Sequence, residues 1–162
     1  MVIKFAIKDF IVDRQCKNLS KNTIESYELI LSMFHEFCVL NNLVNSEDIS
    51  ANTVKSFLLY LQNEKGNNPT SRNTKLRTLK TFFIYVEEVE VYNPKSNPTK
   101  KMTFAKEKIE IQPLHDYHIS QLLSYLRRSM QKERSIYAYR DYMICVPLLG
   151  FGTRLGEMIN LN

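Results

Sequence analysis

The sequence predicts an all-α fold, and two observations support this prediction. Apolar residues recur at steps of three and four along most of the 162 residues, which is the spacing of one helix face. The chain contains only 4 glycines and 5 prolines, too few for an all-β fold rich in tight turns. A short alternating stretch at residues 108–112 is the exception, and we expect it to be extended.

Four helices are expected before residue 90. Their apolar stripes place them at residues 3–17, about 20–41, about 51–64 and about 71–89. Ser20 is a candidate N-cap for the second helix, because its hydroxyl can accept a hydrogen bond from the first turn. A brief turn is expected at residues 46–48.

The fourth helix has two contrasting faces. One arc carries the apolar residues Leu76, Leu79, Phe82, Phe83 and Val86. The opposite arc contains no carboxylate and carries Thr70, Asn73, Thr74, Arg77, Lys80 and Thr81. Cations, hydroxyls and amides are the groups that hydrogen-bond phosphate oxygens and base edges. This arc is therefore predicted to face DNA, and the alternative is an ordinary solvated face.

The net charge of +5 is unevenly distributed. Residues 65–86 hold five basic residues and no acid, and residues 92–106 hold four lysines and no acid: Lys95, Lys100, Lys101 and Lys106. Such a basic zone fits a polyanionic partner, although a solvated surface would have the same composition.

The second half begins with a predicted basic linker at residues 94–112, since Pro94 and Pro98 prevent helix continuation. His115 or Asp116 is expected to cap the next helix, a charged break is expected at residues 127–134, and a final helix at 136–149. A Gly-Phe-Gly turn then presents Arg154 at the start of a new amphipathic turn. Glu157 lies three residues further on, so Arg154 could also be a surface residue paired with it.

The remaining reactive side chains favour packing roles. Cys16, Cys38 and Cys145 are expected to be reduced core thiols of a cytosolic protein. His115 and His118 lack other ligands at metal-binding spacing, so no metal site is expected. The tyrosines fit core or boundary positions. The chain has no long apolar span or cleavable leader, so we expect a soluble, cytoplasmic protein without cofactors.

Several motifs together resemble the tyrosine recombinases of the phage-integrase family. Leu19, Ser20, Thr23 and Tyr27 match the pattern that opens the family's second helix. The apolar arc of the fourth helix, followed by Asn97-Pro98, matches a later pattern. The pair Arg140-Asp141 and the turn that carries Arg154 match the box that opens the catalytic domain.

The resemblance implies a four-helix, SAM-like core-binding domain at residues 1–93 and the start of a catalytic domain at residues 113–162. In the family, the second and fourth helices lie against duplex DNA, which adds Thr23 to the candidate DNA contacts. Arg154 would be the first catalytic arginine and would bind the scissile phosphate.

The family cuts DNA through a 3′-phosphotyrosyl intermediate, without metal or energy cofactor. The resemblance implies an N-terminal fragment that binds DNA but lacks the nucleophile, from a parent that acts as a tetramer. The apolar face of Leu155, Met158, Ile159 and Leu161 is expected to be disordered or buried in a partner copy, so the fragment could dimerise. Two alternatives remain. One is a non-enzymatic DNA-binding regulatory protein, and the other is a pure protein-interaction module, which predicts no salt-dependent DNA affinity.

Overall fold

The structure, a computed structural model, describes residues 1–89, 97–107 and 112–160. Within these residues it is all-α, as predicted, with one isolated bridge between Val2 and Asn45. The helices are α1 (Ile3–Cys16), α2 (Lys21–Leu40), α3 (Ala51–Asn63), α4 (Pro69–Val89), α5 (Asp116–Glu133), α6 (Ile136–Gly150) and α7 (Leu155–Ile159), with a 3-10 turn at Ser46–Asp48. The extended stretch expected at residues 108–112 lies almost wholly outside the described residues.

The chain forms two compact units, Met1–Lys108 and Ile109–Asn162. The core of the first unit is built by aromatic rings from all four of its helices. Phe34 of α2 meets Phe57 of α3 with ring centroids 5.1 Å apart, and Phe10 of α1 meets Phe82 of α4 at 5.6 Å. Edge-to-face ring pairs of this kind add to the free energy gained from apolar burial.

The helix starts in this unit follow from local hydrogen bonding. The Ser20 hydroxyl accepts from the Thr23 backbone N–H at 3.3 Å, and Ser50 and Thr53 form a reciprocal capping box at the start of α3. The predicted N-cap at Ser20 is therefore confirmed. The apolar arc predicted for α4 is buried along its whole length.

Residues 97–107, which we call the strap, follow α4 and belong to the first unit. The strap begins with a turn in which the Asn97 side-chain oxygen accepts from the backbone N–H and the hydroxyl of Thr99, at 2.9 and 2.7 Å. Asn97 and Thr99 are both buried, whereas Lys100 and Lys101 are exposed. Buried, mutually bonded polar groups indicate a docked segment rather than the solvated linker that its composition predicts.

In the second unit, α5 packs against α6. The charged break predicted at residues 127–134 is wrong, because α5 continues to Glu133. Arg, Lys, Gln and Glu are good helix formers, and an exposed helix face accepts their charges at little cost. The break is confined to Arg134, which has a φ of 47°, and Ser135, which caps α6 by accepting from the Ala138 N–H at 3.2 Å.

The last turn has the predicted geometry. α6 ends at Gly150, and Gly152 has a φ of 64°, a backbone conformation that favours glycine. Arg154 then immediately precedes α7. Within residues 112–160, Ala138 alone is buried. The described part of the second unit therefore leaves most of its apolar side chains partly or fully exposed.

The three cysteines are free thiols in different surroundings. Cys38 is buried in the core, Cys145 is half-buried and Cys16 is exposed at the end of α1. The prediction of core thiols is thus right for Cys38 and wrong for Cys16, whose position falls on the outer side of an amphipathic helix. Of the helices in the described ranges, none has the length and apolar character that crossing a bilayer requires.

Candidate nucleic-acid interface

The strap covers part of the α4 face that was predicted to contact DNA. Asn73 is buried there, and its side chain pairs with the backbone of Ala105. The Ala105 N–H donates to Asn73 Oδ1 at 2.8 Å, and Asn73 Nδ2 donates to the Ala105 carbonyl at 2.9 Å. Both sequence interpretations, DNA-facing and solvated, assumed an exposed face. For Asn73 that assumption is wrong, because a segment more than thirty residues later satisfies its amide.

Two cations of the same face hold the aromatic ring of the strap. Lys80 Nζ donates to the Met102 carbonyl at 2.7 Å and lies 5.0 Å from the centroid of the Phe104 ring. The Arg77 guanidinium lies 5.6 Å from the same centroid. These distances are within the range of cation–π attraction. Arg77 is exposed and Lys80 is half-buried, so Arg77 is the better placed of the two to reach a ligand.

The threonines on the predicted face are hydrogen-bonded within the protein. Thr74 donates to the Thr70 carbonyl and Thr81 to the Arg77 carbonyl, each at 3.1 Å and four residues back on the same helix. Thr70 itself donates to Glu107 Oε2 at 3.1 Å. On α2, the Thr23 hydroxyl lies 2.8 Å from the Ser20 hydroxyl as part of the helix cap. A hydroxyl that donates in this way can still accept from a ligand.

Glu107 ends the strap beside the start of α4. Besides the Thr70 hydroxyl, its carboxylate accepts from Asn73 Nδ2 at 2.6 Å. These two hydrogen bonds lower the pKa of Glu107, with a smaller contribution from the positive charge of Arg77. The carboxylate is thus held as an anion by donors that were predicted to bind phosphate.

A groove beside the strap gathers further basic residues. Lys55 of α3, Arg72 of α4 and Lys101 of the strap line it together with Phe104. Among the described residues that line this groove there is no carboxylate. Folding thus brings Arg72 of the first acid-free stretch and Lys101 of the second to one groove. Partial burial lowers the pKa of Lys75 on α4, whereas Lys100 and Lys106 are exposed.

Arg154 lies at the start of α7, where the sequence predicts it. Its backbone N–H donates to Glu157 Oε2 at 2.9 Å and its Nη1 to Glu157 Oε1 at 3.2 Å. The Arg154 side chain is 86% exposed. The guanidinium is therefore accessible to a phosphate. In this structure it pairs with Glu157 at the surface, which is the alternative to a phosphate-binding role that the sequence also allowed. The rings of His115 and His118, both exposed, lie 5.7 Å apart.

Sequence reasoning missed two residues of this surface, Phe104 and Glu107. Phe104 falls inside the predicted linker, and its place as an aromatic residue between Lys101 and Lys106 is the sequence signal that points to it. Glu107 is the first acid after the acid-free stretch at residues 92–106. The local sequence around Glu107 does not indicate that its carboxylate contacts Thr70 and Asn73, which lie more than thirty residues earlier in the chain.

A family model described as phage integrase, N-terminal SAM-like domain, matches residues 7–92, which is more than half of the 162 residues. The chain belongs to this family. The matched range runs from within α1 past the end of α4, so the SAM-like domain holds the α4 face and the strap lies beyond the match. No curated protein and no solved structure was found to match the chain.

Proposed function

We propose that this chain is the DNA-binding N-terminal part of a site-specific tyrosine recombinase. The observation that carries the proposal is a groove in which Arg72 of a phage-integrase SAM-like domain meets Lys101 of the strap, each from an acid-free stretch of the sequence. Exposed Arg77, Lys100, Lys101 and Lys106 would contact phosphates along a duplex. Such a protein would act in the cytoplasm, where it would meet DNA.

The salt dependence of duplex binding tests the proposal. The logarithm of the affinity should fall linearly with the logarithm of salt concentration, with a slope of about −0.9 for each phosphate neutralised. Replacing Arg77 by Ala should reduce the magnitude of the slope by roughly 0.9, which is the contribution of one neutralised phosphate. Lys8→Ala, which removes an exposed cation from α1, is the matched control and should leave the slope unchanged. Affinity that is independent of salt, or equal slopes for all three proteins, would contradict DNA binding by this surface.

We further propose that the parent recombinase cuts and rejoins DNA through a 3′-phosphotyrosyl intermediate, with its nucleophile outside these 162 residues. Arg154 would release Glu157 and bind the scissile phosphate, since a guanidinium presents a fixed fork of donors. The parent would act as a tetramer on paired sites. In the complete recombinase, Arg154→Ala should abolish cleavage of a nicked duplex and leave duplex affinity unchanged. Cleavage at an undiminished rate would remove Arg154 from the catalytic set.

A second candidate function is a non-enzymatic DNA-binding regulator. The Arg154–Glu157 pair favours it, because this pair gives the arginine a structural role at the start of α7. The reading frame beyond codon 162 separates the two candidates. A continuing frame with a His-x-x-Arg pair and a later tyrosine supports the recombinase, and a stop codon supports the regulator.

A further inference from the structure

We propose that Glu107 is an internal surrogate for a DNA phosphate, and that strap docking and DNA binding compete for one anion site on α4. The site consists of the Thr70 hydroxyl, the Asn73 amide and the positive charge of Arg77. This inference rests on the proposed DNA-binding function and adds a regulation of the same surface.

The contacts of Glu107 are those of a bound anion. Each of its carboxylate oxygens accepts one hydrogen bond, from Thr70 at 3.1 Å and from Asn73 at 2.6 Å. Thr70 lies in the first turn of α4, where the helix dipole favours negative charge, and Asn73 lies in the second turn. A phosphodiester, like a carboxylate, carries one negative charge and two acceptor oxygens. The same donors can therefore hold either anion, but not both together.

The rest of the strap explains why displacement of Glu107 would free more than one donor. Asn73 also bonds the Ala105 backbone, and Lys80 bonds the Met102 carbonyl. If residues 102–107 lift while the buried turn at Asn97 and Thr99 keeps Lys100 and Lys101 in place, the Asn73 amide and the Lys80 ammonium become available to DNA together. Residues 102–107 in their docked position therefore lower the apparent DNA affinity by keeping these groups engaged.

Duplex affinities of Glu107→Gln and Glu88→Gln test the competition. Both variants remove one negative charge, but Glu88 is an exposed residue near the end of α4 and has no part in the site. An amide is a weaker acceptor than a carboxylate, so Glu107→Gln should loosen the strap and tighten DNA binding about fivefold. Glu88→Gln should tighten it less than about twofold, through net charge alone.

Amide hydrogen exchange at Ala105 supplies the second readout, because this N–H is bonded to Asn73 when the strap is docked. The inference requires faster Ala105 exchange in Glu107→Gln than in Glu88→Gln, and faster exchange in the wild-type protein once duplex is bound. Equal affinities of the two variants, or an Ala105 amide that stays protected in the complex, would overturn the inference and leave DNA binding intact. Salt-independent binding by every protein would overturn the proposed function, and this inference with it.

Discussion

Cys38 and Cys16 differ in chemistry because they differ in burial. Cys38 is completely buried in the core of the first unit, and this burial raises the pKa of its thiol to about 12, above the ordinary value of 9.0. Burial of the neutral thiol thus contributes stability below pH 9.0, and that contribution is lost as the pH rises toward 12. Cys16 is exposed, so solvent reaches its sulfur.

We therefore predict a large difference in thiol reactivity between these two residues. At pH 8, a thiol with a pKa near 12 is ionised to only about one part in ten thousand, and the thiolate is the reacting species. In the variant C16S/C145S, Cys38 should react with an aromatic disulfide reagent only after unfolding. In the control C38A/C145S, Cys16 should react with the same reagent as soon as the folded protein is mixed with it. Comparable rates in the two folded variants would show that the core around Cys38 is open.

At the level of the elements, α4 is held by apolar packing on one face and by the strap on the other. The Asn73 side chain connects the two, since it bonds both backbone groups of Ala105. Its removal would leave a partly buried N–H and carbonyl without these partners, which costs more than the loss of an exposed hydrogen bond. The strap thus contributes to the stability of the first unit.

Asn73→Ala should lower the free energy of unfolding by about 1–3 kcal/mol. Thr74→Ala, one position along the same helix, removes an exposed hydroxyl that bonds only its own helix in the described contacts, and should change it by less than about 0.5 kcal/mol. Urea denaturation of both variants measures the difference. If the two substitutions cost the same, the Asn73–Ala105 contact is not a stable part of the fold in solution.

The same element marks the limit of sequence-based prediction. The period of apolar residues fixed which face of α4 is buried, because burial of that face is a property of the helix itself. The partner of the polar face is residue Ala105, more than thirty positions away, and no local pattern encodes that contact. The predicted break at residues 127–134 is wrong because a run of charged residues does not by itself indicate a loop: charged side chains are good helix formers when one face is exposed. For Arg154, the motif gave the position in the fold, and the partner Glu157 followed from its spacing.

At the scale of the whole molecule, the two units differ in how completely they bury apolar surface. The first has a core drawn from four helices, whereas Ala138 is the single buried residue among those described in the second. Exposed apolar side chains cluster near the end of the described chain: Phe151 is 82% exposed, Ile159 74% and Leu155 64%. Met158 is half-buried on the five-residue helix α7, and Leu161 lies outside the described residues. An exposed apolar group of this kind is typical of an interaction surface.

We predict that this surface mediates self-association, so that the sedimentation coefficient of the wild-type protein rises with concentration. Ile159→Asp should shift association to higher concentration by at least about tenfold, because a carboxylate buried in an apolar interface carries a large desolvation cost. Leu40→Asp is the matched control, since Leu40 on α2 is 76% exposed and lies in the first unit. It should leave association unchanged. A wild-type protein that sediments as a monomer at every concentration would contradict the prediction, and an equal effect of Leu40→Asp would place the interface on the first unit.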